Sequence, residues 1–312
     1  MEFIFSLGRF YKISFDHIFG RKKRHMRHYI LYNPFSGKKN GKKEAAALAS
    51  RYEDAICRDM TKIEDYASFF SALSEQDDVI LCGGDGTLNR FINETQDIDI
   101  PCDIRYFAIG SGNDFLRDVE KTADTEPFSI KEYIRELPNV TVNGKTHLFL
   151  NNVGFGIDGY CCEIGDEEKK RSDKPVNYTA IAIKGLLFHY HPRNAVVTVD
   201  GVEYRYEKVW LAPTMKGRFY GGGMMATPAQ DRNDADGTLS LMLFHGSGKL
   251  KTLAVFPSIF KGTHIKHTEM VTVHTGKEIS VVFESPAPVQ IDGETIPNVT
   301  SYTATAKIHS LV

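Results

Sequence analysis

One stretch limits what this chain can fold into: Asp77-Asp78-Val79-Ile80-Leu81-Cys82-Gly83-Gly84-Asp85-Gly86-Thr87-Leu88-Asn89. The apolar run 79–82 is short enough for a buried strand of a parallel sheet. It stops at Gly83-Gly84-Asp85-Gly86, and a helix is expected from Thr87, a residue type favoured at helix starts. Glycines let the backbone turn sharply and let another molecule approach the main chain. The helix N-terminus beyond them offers unpaired N–H groups and a positive dipole end, which together suit a phosphate. Asp85, inside the turn, could hold a cation bridging phosphates or orient a hydroxyl. The plainer alternative is a glycine turn with a surface acid. Three glycines around one acid, directly after a buried strand, favour phosphate binding.

The region around that stretch alternates strand and helix. A strand is expected over 28–32, followed by Asn33-Pro34-Phe35-Ser36-Gly37-Lys38 and a helix over 41–52. The 37–43 segment lacks the spacing of a P-loop and the Ser/Thr after Lys, so it is not one. A second strand over 55–58 leads to Thr61. A helix over 62–73 would put Ile63, Tyr66, Phe69, Phe70 and Leu73 on one core face. A strand over 104–109 runs into Gly110-Ser111-Gly112-Asn113-Asp114-Phe115, another glycine-bracketed strand-to-helix turn. Three such turns in one βα region would gather at the carboxyl ends of parallel strands, where sheets of this kind bind ligands.

After about residue 138 the pattern becomes β-rich, with segments at 140–142, 147–153, 194–199, 204–211, 239–244, 270–274, 278–283 and 289–291. Asn143-Gly144, Asp200-Gly201 and Thr275-Gly276 are expected hairpin turns of an antiparallel second domain. Helices are expected near 178–188 and 250–260. Gly154-Phe155-Gly156-Ile157-Asp158-Gly159 satisfies GxGxxG, but its antiparallel setting counts against a dinucleotide site. The loop Asp231-Arg232-Asn233-Asp234-Ala235-Asp236-Gly237-Thr238 could supply oxygen ligands to Mg²⁺, or be a polar loop; it lacks the spacing of an EF-hand. Asp292-Gly293-Glu294 at a strand end is either a hairpin turn or the place of a carboxylate that takes a hydroxyl proton.

The whole chain narrows the classes further. At 312 residues it is long enough for two domains. A net charge of −2 argues against general nucleic-acid binding. Five cysteines without CxxC spacing suit a reduced cytosolic setting better than a disulfide framework or a zinc site. No apolar run approaches the roughly 18 residues of a membrane span. Residues 1–27 form an aromatic leader ending in a basic cluster. Its order is wrong for a secretory signal, and it could rest on an anionic membrane surface or be a weakly packed leader; translation could also start at Met26.

Taken together, these stretches resemble the diacylglycerol kinase catalytic-domain family, which includes sphingosine kinases and soluble bacterial lipid kinases. The matching pieces are Asn33 to Lys38, Thr61, Gly83-Gly84-Asp85-Gly86-Thr87, Gly110 to Phe115 and Asn152-Val153-Gly154-Phe155-Gly156. They continue with Gly221-Gly222-Gly223-Met224, Asp236-Gly237 and Asp292-Gly293-Glu294. The resemblance implies a phosphofructokinase- or NAD-kinase-like N-terminal α/β domain over 28–138. A β-sandwich over 139–312 would follow, its last residues packing back on the first domain. ATP would lie against Asn33, Pro34, Ser36, Gly37, Thr61, Gly83, Gly84, Asp85, Gly86, Thr87, Asn89, Gly110, Ser111, Asn113 and Asp114. Lys38 would neutralise phosphate charge, Asp85 would join a Mg²⁺ network, Glu294 would accept the proton and Asp292 would support it. Asn233, Asp234, Asp236 and Thr238 are the expected metal ligands. The implied activity is γ-phosphate transfer to diacylglycerol or a similar lipid alcohol. A sphingoid base, phosphatidylglycerol, NAD, or a non-catalytic nucleotide- or lipid-binding role are the alternatives. The implied setting is cytoplasmic, with a lipid substrate at a membrane surface and a homodimer left open. In departures from the family pattern, Ala235 stands where an Asp is frequent and Ser111 where a Thr is common.

Overall fold

A computed structural model of the chain describes residues 26–109, 113–171 and 176–306. The first domain contains strands β1 (His28–Tyr32), β2 (Ala55–Asp59), β3 (Asp78–Gly83), β4 (Asp103–Ala108) and β5 (Phe128–Ser129). Its helices are α1 (Ser36–Lys39), α2 (Gly41–Ala49), α3 (Tyr66–Ser71), α4 (Asp85–Thr95), α5 (Asp114–Asp118) and α6 (Lys131–Ile134). The sheet runs β2-β1-β3-β4-β5, and its first four strands are parallel. β3 is buried at every residue because both sheet faces are covered. Val79 and Leu81 pack with Tyr29, Leu31, Phe70 and Phe91 on one face. Ile80 and Cys82 pack with Ile30, Ala45 and Leu48 on the other.

Helix boundaries depart from expectation for local reasons. α4 starts at Asp85 rather than Thr87, with Gly84 as its cap, so Asp85 and Gly86 lie inside the first turn. The segment expected as one helix over 62–73 breaks into a 3₁₀ turn (Met60–Lys62) and α3. Asp65 starts α3 by accepting from the Ser68 N–H at 3.1 Å. The five apolar residues assigned to that face all belong to the same core.

The second domain has strands β6 (Asn139–Val142), β7 (Lys145–Leu148), β8 (Asn152–Gly156), β9 (Arg193–Val199), β10 (Val202–Val209) and β11 (Leu211–Met215). They continue with β12 (Phe219–Tyr220), β13 (Met224–Met225), β14 (Leu239–Phe244), β15 (Val271–Gly276), β16 (Glu278–Ile291) and β17 (Glu294–Thr305). Its helices are α7 (Ile157–Arg171), α8 (Tyr178–Lys184) and α9 (Lys249–Val255). All pairings in the large sheet are antiparallel, in the order β15-β14-β11-β8-β16-β17-β6-β7, with β9 and β10 branching from β16. β16 pairs with β9 over Ile279 to Phe283 and with β8 over Val289 to Ile291, joining two branches around one core.

Several expected segments differ. Residues 147–153 split into β7 and β8, and 204–211 into β10 and β11 at the buried Trp210. The segments 278–283 and 289–291 are one strand despite Pro286 and Pro288, with register shifts between Val282 and Val289 that absorb the prolines. Asn143-Gly144 and Asp200-Gly201 are hairpin tips with positive φ at both residues. Thr275-Gly276 is not a hairpin: it lies inside β15, which pairs with β14. Helix α7 begins inside the GxGxxG stretch, at a place where the sequence pattern predicts no helix. There the glycines admit neighbouring chain, since a Cβ on Gly156 would sit 2.6 Å from the Trp210 carbonyl and one on Gly159 2.3 Å from that of Pro288. The expected leader over 1–27, apart from Met26 and Arg27, and the return of 307–312 to the first domain lie outside the described residues.

Candidate active site

The strands that precede the three glycine turns, β1, β3 and β4, are adjacent and parallel, so their carboxyl ends share one edge of the sheet. Ser36 Oγ and Thr87 Oγ1 are 2.8 Å apart, tying the first turn to the first turn of α4. Asn33 accepts from the Phe35 N–H at 3.0 Å, and Pro34 lies between them. Gly37 has φ +58°, and a Cβ there would meet the Ile109 carbonyl at 2.8 Å, so the first turn also abuts the end of β4. Thr61 follows β2 and donates to Asp59 at 2.7 Å. Gly83 leaves room for the Thr87 side chain, which a Cβ would strike at 2.3 Å, whereas nothing lies within 4 Å of a Cβ on the exposed Gly86. Gly110, Ser111 and the side chain of Lys38 lie outside the described residues.

Asp85 closes the second turn onto the third. Its half-buried carboxylate accepts from the backbone N–H groups of Asp114, at 2.7 Å, and Phe115, at 3.3 Å. Asn113 occupies the cap position of α5, and Asp114 accepts from the Gly222 N–H at 2.7 Å. Gly222 belongs to the β12–β13 turn Gly221-Gly222-Gly223, where φ is positive at all three residues. Burial, and next the nearby Asp114, push the Asp85 carboxyl up to about 7. Burial pushes Asp114 up to about 6. Asp114 Oδ1 is buried without a hydrogen bond, and Arg117 is 3.8 Å away.

The β16–β17 turn carries the other acids. Asp292 (φ +47°) and Gly293 (φ +91°) form its tip, so the hairpin reading is correct in form. Asp292 accepts from the N–H groups of Leu150, Asn151 (2.8 Å) and Asn152 (2.9 Å) and from Asn89 Nδ2 at 2.8 Å. Asn89 lies one turn along α4 from Asp85. One turn further, Asn93 pairs in both directions with the Leu148 backbone, donating at 3.0 Å and accepting at 2.9 Å. This stripe docks α4 on the second domain, and Asp292 contributes to raising the Asp85 carboxyl. Glu294 begins β17 and is exposed.

The residues 231–238 behave differently from the expected metal cage. Asp231 accepts from the Asn233 N–H at 2.9 Å. Asp234 accepts from the Asp236 N–H at 3.1 Å and from the N–H and hydroxyl of Thr238. The Thr238 carbonyl accepts from Gln230 Nε2 at 3.1 Å. The loop folds on its own backbone, and among the described residues no three acids, histidines or cysteines form a group that could hold a metal.

What the sequence reading missed in this loop is Arg232. It is buried, donating to Asp118 Oδ2 at 2.7 Å, the Leu150 carbonyl at 2.6 Å and Asn151 Oδ1 at 2.7 Å. Asp118 also accepts from the Arg218 N–H at 2.9 Å and Nε at 3.0 Å. A closed ring results: Asp85 caps α5, Asp118 on α5 holds Arg232, and Arg232 holds Leu150-Asn151. Their N–H groups hold Asp292, which returns to Asn89 on α4. Two signals point to it: a lone cation among acids at 231–236, and Asp114 and Asp118 spaced i, i+4 on one helix.

Two family models match the chain. One, described as the diacylglycerol kinase catalytic domain, covers residues 27–141, and the other, described as the YegS C-terminal NAD kinase beta sandwich-like domain, covers residues 151–307. The diacylglycerol kinase of Bacillus subtilis (strain 168) is 25% identical over 280 residues, covering 85% of this chain and 88% of that protein. The diacylglycerol kinase of Mycobacterium tuberculosis (strain ATCC 25618 / H37Rv) is 26% identical over 227 residues, 70% of each. A solved structure of a diacylglycerol kinase from Bacillus anthracis (strain Sterne) has TM-score 0.56 at 18% identity. It covers 93% of this chain and 100% of that one, and the likeness is one of fold.

Proposed function

The chain belongs to the diacylglycerol kinase-like family of lipid kinases, and on that footing we propose that it transfers the γ-phosphate of ATP to the hydroxyl of diacylglycerol or a similar lipid alcohol. One observation carries this reading: the bond from Asn89 to Asp292, which brings an acidic turn of the second domain against the start of α4. Phosphoryl transfer asks for positioning and charge neutralisation more than covalent chemistry. The turns at Asn33 to Lys38, Thr61, Gly83 to Asn89 and Gly110 to Asp114 would hold the triphosphate, and the positive dipole end of α4, which starts in the second of them, would favour its charge. Glu294, exposed two residues beyond the anchored Asp292, would take the proton of the acceptor hydroxyl.

Mg²⁺ fits this edge through Asp85 and Asp114, whose carboxyls are both raised and one of whose oxygens is buried without a donor. A magnesium ion commonly keeps several waters and takes one or two protein carboxylates together with substrate phosphates, so no all-protein cage is required. When bound it would neutralise phosphate charge. The 231–238 loop spends Asp234 on its own backbone and is the weaker place for it.

The test is labelled-phosphate transfer from ATP to diacylglycerol in mixed micelles, beside sphingosine, phosphatidylglycerol and NAD as acceptors. Asp85→Ala and Glu294→Ala are each expected to lower the rate about 10²-fold or more. Full activity in both would refute the assigned roles, and ATP binding without transfer to any acceptor would point to a non-catalytic relative. No helix among the described residues is long and apolar enough to cross a membrane. A cytoplasmic enzyme meeting its lipid peripherally is the setting this reading requires.

A further inference from the structure

Two helical segments on the second domain combine apolar exposure with one-sided charge. α8 continues through a wider turn, Gly185–His189, and α9 continues through a 3₁₀ segment, Phe256–Lys261. Their inner sides are occupied: Ile181, Leu186 and Ile259 are buried in a core with Trp210 and Met242. Lys249 Nζ donates to the Leu187 carbonyl at 3.1 Å and joins the two segments. The chain neighbours of these bonded residues are Phe188, 69% exposed, and Leu250, 77% exposed, with Ile183 at 44% on α8. Scattered exposed apolar residues are ordinary, but large ones drawn from two segments to one junction are not.

Charge says what could cover them. Residues 237–268 hold Lys249, Lys251, Lys261 and Lys266 and no acidic residue, in a chain with 40 acids among 312 residues. Residues 176–199 hold Lys184 and Arg193 and again no acid. Glu269, at the edge of the first stretch, is engaged by Lys251 at 2.9 Å. Exposed apolar side chains beside lysines, in stretches that hold no acid, match an anionic bilayer surface, with the side chains in the acyl boundary and the lysines among head groups. At 7 and 5 residues, α8 and its continuation are too short to span the bilayer.

The position also fits delivery of a lipid to Glu294. The Tyr178 ring of α8 lies against Gly165 of α7, where a Cβ would be 2.5 Å from it. Asp166 of α7 accepts from Thr295 Oγ1 at 3.2 Å, next to Glu294. We propose that the junction of α8 and α9, with Ile183, Phe188 and Leu250 beside Lys184 and Lys249, is the surface on which this protein docks to anionic membranes. The inference rests on the lipid-kinase reading for its purpose, but its test does not require turnover.

The full chain is sedimented with sucrose-loaded vesicles of phosphatidylcholine, with or without phosphatidylglycerol, in the absence of nucleotide. Binding is expected only with phosphatidylglycerol. Phe188→Ser and Leu250→Ser should each lower the partition coefficient on the order of ten-fold. Lys184→Gln should lower it roughly five-fold. Val202→Ser and Lys145→Gln, exposed elsewhere, should leave it unchanged. Unchanged binding in the junction variants would overturn the proposal. So would loss of binding only on deletion of residues 1–25, or junction variants that abolish self-association in sedimentation velocity while vesicle binding persists. Vesicle binding through the junction by a protein that phosphorylates no acceptor would sustain this inference and defeat the kinase reading.

Discussion

Arg232→Met probes the ring that joins the two domains. The Arg232 side chain is 4% exposed, and its guanidinium lies 5.1 Å from the Phe115 ring centre. Methionine keeps an unbranched apolar stem but removes the donors to Asp118, Leu150 and Asn151. Removing one partner of a buried ion pair costs about 3–5 kcal/mol, because the remaining charge is left uncompensated. Asp118 here keeps Arg218, which bonds its Oδ1 through both N–H and Nε. Asp118 is thus not left uncompensated, so the ionic loss falls below that range, at about 2 kcal/mol, and the two abandoned acceptors add about 1 kcal/mol each. Urea denaturation at neutral pH should show a loss of about 4 kcal/mol with little change in slope. Combined with Asp118→Asn, the pair should be coupled by more than about 1 kcal/mol. A loss under about 1 kcal/mol for Arg232→Met, or simple additivity of the two, would refute the claim that this pair locks the domains.

Three further outcomes follow from the site. Asp85 is raised from 3.8 to about 7, so the folded state holds its proton more tightly than the unfolded chain and loses stability as pH rises between those values. Asp85→Asn should therefore melt higher than the parent at pH 8 and show no such gain near pH 4, while transfer activity falls; an equal melting difference at both pH values would contradict the sign. Gly83→Ala must displace Thr87, with contacts of 2.3 to 2.4 Å to its side chain, and is expected to cost about 1–3 kcal/mol in urea denaturation and loosen the Ser36–Thr87 contact. Glu294→Gln, at an exposed position, should change stability by less than about 0.5 kcal/mol yet lower kcat about 10²-fold or more, and a variant with parental kcat would remove Glu294 from the reaction.

Much of the fold was legible because its signals are local. The run Val79-Ile80-Leu81-Cys82 is apolar at every position since both sheet faces are covered, and that pattern identifies a parallel strand without knowledge of its neighbours. The repeated strand–glycine–helix turns predicted a shared edge for the same reason. Helix α7 was hidden: its buried stripe runs through Ile157, Cys161 and Gly165, too narrow and too poor in large apolar residues to produce a helical period. β16 was read as two strands because Pro286 and Pro288 interrupt the pattern, and only its partners on either side make it one.

The amino-acid order alone determined the alternation of elements, the glycine turns at strand ends and the Asp292-Gly293 hairpin, all matters of backbone period and local steric freedom. Docking of the domains decided the rest. Asn89 and Asp292, 203 positions apart, meet only because α4 lies across the β16–β17 turn. Arg232 becomes a buried clamp instead of a surface cation because Asp118 and two acceptors surround it. A charge is drawn into a low-dielectric place only where partners await it, and those partners are set by packing, which no local pattern records.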